Sequence, residues 1–157
     1  MRGVSVNNFR EILQKRVVGV PFFDPKTLND KAILEAIYKK YRNTGTFDAV
    51  DLWGALLADR LWSDLGADYA QRVTFQSIRD LIFFTNKYPF PIFALNVVST
   101  YPYLEAEVNP FTVGSDFLGG YIPTYAFGSR FESAKSIRLY PEESLGYFLG
   151  VFGSAYD

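Results

Sequence analysis

Carboxylates and serines are the side chains best placed to do chemistry in this sequence, because it holds neither histidine nor cysteine. Glu105 and Glu107 alternate in "YLEAEVN". On a strand they share one face, with Cα atoms roughly 7 Å apart. Paired carboxylates can serve acid–base or glycosidic chemistry, but a solvated strand face is the plainer reading. Asp51, Asp59 and Asp64 lie along one helical stretch. Asp51 and Asp59 are two turns apart, too far for a joint site, and all three read as a solvated face. Trp53 and Trp62 could stack a sugar ring, although their spacing favours packing. The serines of "VGSDF", "FGSRF" and "FGSAY" sit in no G-x-S-x-G elbow. "GGY" at Gly119–Tyr121 has the form of an anion-binding nest, but lacks the Lys and Ser or Thr of a phosphate loop. These residues define no catalytic group, no metal site and no cofactor site.

Composition narrows the classes. The 157 residues suffice for one core, and a 48% hydrophobic content is that of a globular chain. Without His, a Ser-His-Asp triad and most zinc sites are excluded; without Cys, so are disulfides and thiol nucleophiles. A net charge of −1 gives no field for nucleic acid or an anionic membrane. The start is polar and charged, unlike a signal peptide. The run "YPFPIFALNVV" is too short to span a bilayer.

The elements fall into two halves. Helices are expected over 7–18, over 28–43 with Asn29 or Asp30 as cap, over 46–66 starting at Thr46 or Asp48 with a stop at Gly66, and over 74–86 capped by Thr74. Ile33, Ile37 and Tyr41 form the apolar stripe of the second. Leu52, Trp53, Leu56, Leu57, Arg60 and Leu61 form that of the third. "PIFALNVVST" reads as a buried strand. "YLEAEVN" reads as its partner, with Leu104, Ala106 and Val108 inward. "PFTVG" either extends that strand or begins a turn. "VGSDFLGGYIPTYAFGSRF" suits neither helix nor strand, and a last helix enters at Pro141 with Glu142 and Glu143 in its first turn.

The stretch "EVNPFTVGSDFLGGYIPTYAFGSRF" resembles E-F-S/T-P-Y-E-x-G-S…L-G-A-F-I-P-x-x-x-F-G-S-x-F. That pattern belongs to the catalytic domain of cytosolic phospholipase A₂ and phospholipase B, relatives of the patatin-like lipases. The tail "SLGYFLGVFGSAY" resembles that family's F-L-x-G-V-W-G-S-A-F. Weaker matches reach back to "GTFDAVDLWGALLADRLW" and "YPFPIFALNVV". The pattern departs at Val108, where an aromatic is usual, at Phe111 for Tyr, and at Thr112 for the second Glu.

The resemblance implies a partial α/β three-layer domain, helices first and strands around 92–108, with residues 1–157 forming one incomplete lipase-like domain. It implies a segment of a phospholipase A₂ or lysophospholipase-type acyl ester hydrolase. The Ser–Asp dyad of that family would lie outside this chain, which alone is expected to be inactive. The alternative is a noncatalytic domain that binds lipid or protein. Substrate contacts are expected from Phe111, Tyr121, Phe127, Gly128 and Ser129. The implied partners are a phospholipid or lysophospholipid and a membrane surface, with no nucleic acid. The implied setting is cytoplasmic, peripheral to membranes. Unpaired sheet edges favour self-association.

Overall fold

The computed structural model describes residues 24–62, 65, 68–85, 90–97 and 104–153, together with 10, 11, 14 and 15. The helix expected over 7–18 falls largely outside them, as do the Gly66 stop and the end of the strand expected over 91–100.

Four of the expected helices form among the described residues. Helix α1 spans Asp30–Thr44, and Asn29 caps it by accepting from the Ala32 N–H at 3.2 Å. Gly45 ends it in the left-handed region at φ 80°, donating to the Tyr41 carbonyl at 2.7 Å. Helix α2, Ala49–Trp62, opens with a reciprocal capping box. The Asp48 carboxylate accepts from Val50 and Asp51 N–H groups, and the Asp48 N–H donates back to Asp51. A short helix α3, Tyr69–Arg72, leads to α4, Phe75–Thr85.

The apolar stripes differ from expectation. On α1 the buried positions are Ile33 and Ala36, whereas Tyr41 is exposed. On α2 they are Asp51, Gly54, Ala55, Ala58 and Asp59, whereas Leu52 is exposed. Ala55 packs on Ile33 and Ala36 of α1, Asp51 lies beside Lys40 and Asp59 accepts from the Asn29 N–H, while position 54 is glycine because another helix crosses there at close range. That helix is α5, Leu145–Gly153. A Cβ on Gly150 would lie 2.2 Å from the Val50 carbonyl oxygen and 2.9 Å from the Gly54 nitrogen; one on Gly54 would lie 2.3 Å from the Gly146 oxygen. Backbone meets backbone, so no rotamer relieves the clash. Gly150→Ala is therefore expected to cost about 3 kcal/mol by overpacking, offset by about 1 kcal/mol of helix propensity. Gly153→Ala meets the mobile tip of Leu57 instead and is expected to cost less. Urea unfolding of both variants checks this, and equal midpoints would contradict the close crossing.

Helix α5 starts at Leu145, not Pro141. Ser144 is its cap, its hydroxyl accepting from the Tyr147 N–H at 3.3 Å. Glu142 and Glu143 thus precede the helix and serve other partners. Likewise, among the bonds of the first turn of α4, it is Glu142 that accepts from the Gln76 N–H, at 2.9 Å.

Strands β1 (Phe93–Val97), β2 (Leu104–Val108), β3 (Thr112–Ser115) and β4 (Gly120–Pro123) form an antiparallel sheet in that order. The alternation read in 104–108 is present, with Ala106 and Val108 buried and Glu105 exposed. Strand β1 is half-buried rather than buried: Phe93 and Leu95 face the core while Ala94 and Asn96 are exposed, as suits an edge strand. The Gly-rich stretch supplies β3 and β4. Gly114 opposes Tyr121, and a Cβ there would sit 2.2 Å from the Gly120 oxygen, so only glycine admits β4 at this distance. Beyond a 3₁₀ turn at Thr124–Ala126, β5 (Arg130–Glu132) and β6 (Lys135–Arg138) make a separate hairpin.

The core lies between the sheet and α4 and α5. Phe75, Ile78, Val108, Val113 and Phe148 are buried, with Phe93, Leu95, Ile122, Phe127 and Phe152 packed around them. Among the described residues, the opposite face of the sheet, carrying Asn96, Glu105 and Tyr121, is exposed or half-covered. No helix of these residues is long and apolar enough to cross a membrane.

Candidate functional site

The motif stretch begins with a tight connection between β2 and β3. The Asn109 side-chain oxygen accepts from the Phe111 and Thr112 N–H groups, both at 2.9 Å, which is the Asx turn that Asn favours. Its amide nitrogen donates to Thr112 Oγ1 at 2.9 Å. Thr112 therefore has a polar partner although it departs from the family's Glu. The Thr124 hydroxyl, fully buried, donates to the Asn109 carbonyl at 2.9 Å and locks β4's exit onto this turn.

The five residues expected to touch substrate occupy separate surroundings. Phe111 stacks on Phe90 at 5.8 Å and meets Phe83 edge-on at 5.6 Å, and both of these rings are largely exposed. Tyr121 lies exposed on β4, and desolvation followed by the charges of Asp116 and Glu107 raises its phenol pKa. Phe127 turns inward against Phe148 at 5.5 Å and Tyr147 at 6.3 Å. Gly128 adopts φ 76°, and a Cβ there would stand 3.5 Å from Glu143 Oε1. Ser129 accepts from the Tyr140 N–H at 3.3 Å.

Glu143 belongs to a cluster that sequence reasoning missed. It pairs with Lys40 Nζ of α1. That ammonium lies 3.8 Å from Asp51 of α2 and 4.0 Å from the centre of the Tyr147 ring of α5. Burial raises the pKa of Glu143, with Asp51's charge adding and Lys40 opposing. Burial also raises that of Asp51. Tyr147 is pushed up to about 12 by burial, then by Glu143, Asp51 and Asp48. A cavity of about 290 Å³ opens beside the cluster, bordered by Lys39, Asn43, Gln71, Arg72 and Ser144. Two carboxylates and a ring occupy the amine, so the cluster fastens α1 and α2 to the approach of α5 rather than presenting a nucleophile. A sequence signal existed: Lys40 follows Ile33 and Ala36 at i+7 and i+4, on the buried face.

A second lock sits opposite. Arg79, buried, donates to the Pro110 carbonyl, to Glu142 Oε1 at 2.9 Å and to Gln76 Oε1 at 2.8 Å. It thus ties the motif turn to α4 and to the approach of α5. Among the described residues, Ser115 caps the turn at Phe117 N–H and no set of three carboxylates could hold a metal ion. In the stretch read as a nest, the Gly119 N–H donates to the Asp116 carbonyl at 3.1 Å. Glu105 and Glu107 stay on the half-covered sheet face, and Trp53 donates to the Gly153 carbonyl at 3.0 Å in helix packing. Asp51 and Asp59, expected on a solvated face, are both buried.

The α/β class and the order of these elements are those of a partial cytosolic phospholipase A₂ catalytic domain. Over 94% of this chain, human GIVD cytosolic phospholipase A2, solved in complex with methyl gamma-linolenyl fluorophosphonate, superposes with a TM-score of 0.70 at 17% identity; this chain covers 20% of that one. No family model matches the chain. In sequence it is similar to mouse cytosolic phospholipase A2 zeta, 37% identical over 73 residues, which are 43% of this chain and 8% of that protein. It is also similar to human cytosolic phospholipase A2 zeta, 29% identical over 122 residues, 73% of this chain and 13% of that protein. The chain thus spans a small part of the relatives it matches, and it carries a segment similar to members of the cytosolic phospholipase A₂ family.

Proposed function

We propose that the chain works as a segment of a phospholipase A₂ or lysophospholipase-type acyl ester hydrolase whose Ser–Asp dyad lies outside these 157 residues. The observation that carries this reading is the 37% identity to cytosolic phospholipase A2 zeta. The turn-and-sheet unit from Glu107 to Ser129 would form a lipid-facing wall. In it Phe111 and Tyr121 offer solvent-reachable rings, Phe127 anchors the unit on Tyr147 and Phe148, and Gly128 and Ser129 hold the turn that follows. The same reading places the protein in the cytoplasm, peripheral to membranes, with a phospholipid or lysophospholipid as substrate. Residues 1–157 then form a single incomplete domain, and the outer edge of β1 is a site for self-association, which sizing chromatography would register.

A noncatalytic lipid-binding role is the second reading, favoured by the exposed rings of Phe83, Phe84 and Phe90. Hydrolysis of a fluorogenic phospholipid separates the two. The 157-residue chain is expected to be inactive, and the protein of the full reading frame active. Activity in the short chain would overturn the external dyad, and none in the longer protein would favour the binding role.

A further inference from the structure

The hairpin β5–β6 is poorly stabilised by its own contacts. Every residue from 130 to 139 is exposed. In its register Phe131 opposes Ser136 and Glu132 opposes Lys135, and beyond an irregularity between Arg130 and Phe131 that skips Ile137, Arg130 is paired with Arg138. Like charges opposite each other across a ladder are destabilising. The turn places Ser133 at φ 49° and Ala134 at φ 62°, a left-handed conformation that is unfavourable for both residue types. The internal charge contact, Arg130 to Glu132 at 3.8 Å, joins two side chains more than half exposed and contributes little. Two-stranded hairpins with no covered face are marginal in water.

We propose that this hairpin is an anionic-membrane contact, in which Arg130 and Arg138 take lipid phosphates while Phe131, Ile137 and Leu139 enter the interface beside them. Guanidinium forks match phosphate geometry, and neither is committed to a strong partner: that of Arg138 lies 4.9 Å from the centre of the Tyr140 ring and that of Arg130 3.8 Å from Glu132. The hairpin holds three cations, Arg130, Lys135 and Arg138, against one anion, Glu132. Its charge is therefore positive on a chain whose net charge is −1. Exposed apolar side chains among cations are what distinguishes an interfacial element from a merely basic one. Its place in the chain is consistent, because it follows directly on Phe127–Ser129 of the proposed lipid-facing wall. The inference rests on the lipid reading above and names the headgroup charge that the wall would meet.

Vesicle co-sedimentation of the 157-residue protein, with no hydrolysis readout, tests it separately from the enzymatic reading. Phosphatidylcholine vesicles containing phosphatidylserine are expected to bind, in a salt-sensitive manner, more tightly than phosphatidylcholine alone. The pair R130Q/R138Q is expected to weaken that binding about thirtyfold. Glu132→Gln is expected to strengthen it, an effect that misfolding would not produce. Inorganic phosphate at matched ionic strength is expected not to displace the protein, since it lacks the apolar half of the contact. Equal binding to neutral vesicles, indifference to both sets of substitutions, or displacement by phosphate or a single-stranded oligonucleotide would overturn the proposal.

Discussion

Phe148→Ala is expected to lower stability by about 4 kcal/mol, near the middle of the range for emptying a buried aromatic site. Phe148 is fully buried at the meeting of four elements. Its ring contacts Phe75 of α4 edge-on at 4.7 Å, Phe127 after β4 at 5.5 Å, and Phe152 of its own helix at 5.8 Å. Phe152 in turn stacks on Phe93 of β1 at 4.6 Å with the planes 5° apart. Removing one ring therefore unseats a chain of aromatic contacts that joins the sheet to both covering helices. These neighbours cannot collapse into the space together, because α5 is held against α2 by backbone contact at Gly54 and Gly150. For a chain of this size the loss corresponds to a fall in melting temperature of about 12 °C. Urea unfolding should show a lower midpoint at unchanged slope. Phe148→Leu, which keeps much of the volume, is expected to lose far less. A loss below 1 kcal/mol in the alanine variant, on the order of a surface change, would mean that the ring is not central to the core.

What was legible in the sequence was local. The alternation of Leu104, Glu105, Ala106, Glu107 and Val108 follows from the two-residue period of a strand, and the structure has it. Asn29 caps α1 because a short polar side chain before an apolar period has one efficient use. What was not legible depended on partners remote in sequence. Glu142 and Glu143 look like first-turn acids of a helix, yet Arg79 and Lys40, more than sixty residues away, take them. On the inward face of α2, position 54 is glycine because the α5 backbone leaves no room for a side chain, and Asp51 and Asp59 are buried because Lys40 and the Asn29 N–H of the α1 side meet them; the period of α2 alone does not carry that information. The glycines of 113–131 suggest irregular backbone, whereas Gly114 makes a close strand pairing with Tyr121. Overall charge concealed the hairpin's cations, because a balance over the whole chain says nothing of ten exposed residues. The family pattern was readable from Glu107 onward. Of the five residues taken from it as substrate contacts, one ring packs inward and two are exposed or half-exposed, a division the motif does not encode.

Removing Lys40 is expected to do comparable damage by a different cause. Lys40→Met leaves Glu143 and Asp51 facing each other without the ammonium between them, both already raised by burial. Breaking one partner from a buried pair typically costs about 3–5 kcal/mol, because the remaining charge is uncompensated. The double variant K40M/E143L removes one of the two carboxylates and leaves Asp51, which still accepts from the Asp48 N–H; it is expected to regain part of the loss, so a double-mutant cycle should return coupling between Lys40 and Glu143. The pH dependence has a definite sign. A carboxyl whose folded pKa is raised binds more protons in the native state than in the unfolded chain. Its contribution is fully present below the ordinary glutamate value of 4.5 and is lost as pH rises through the raised value. In the wild type, Glu143 and Asp51 therefore contribute a decline in stability on going from mild acid towards neutrality. Lys40→Met steepens that decline, since nothing then opposes the rise, and its cost shrinks as the solution is acidified. Glu143→Gln flattens the curve over the same range. Stability measured by urea unfolding across that range tests both slopes. A Lys40→Met penalty independent of pH would show that the side chain matters for its packing on Tyr147 rather than for its charge.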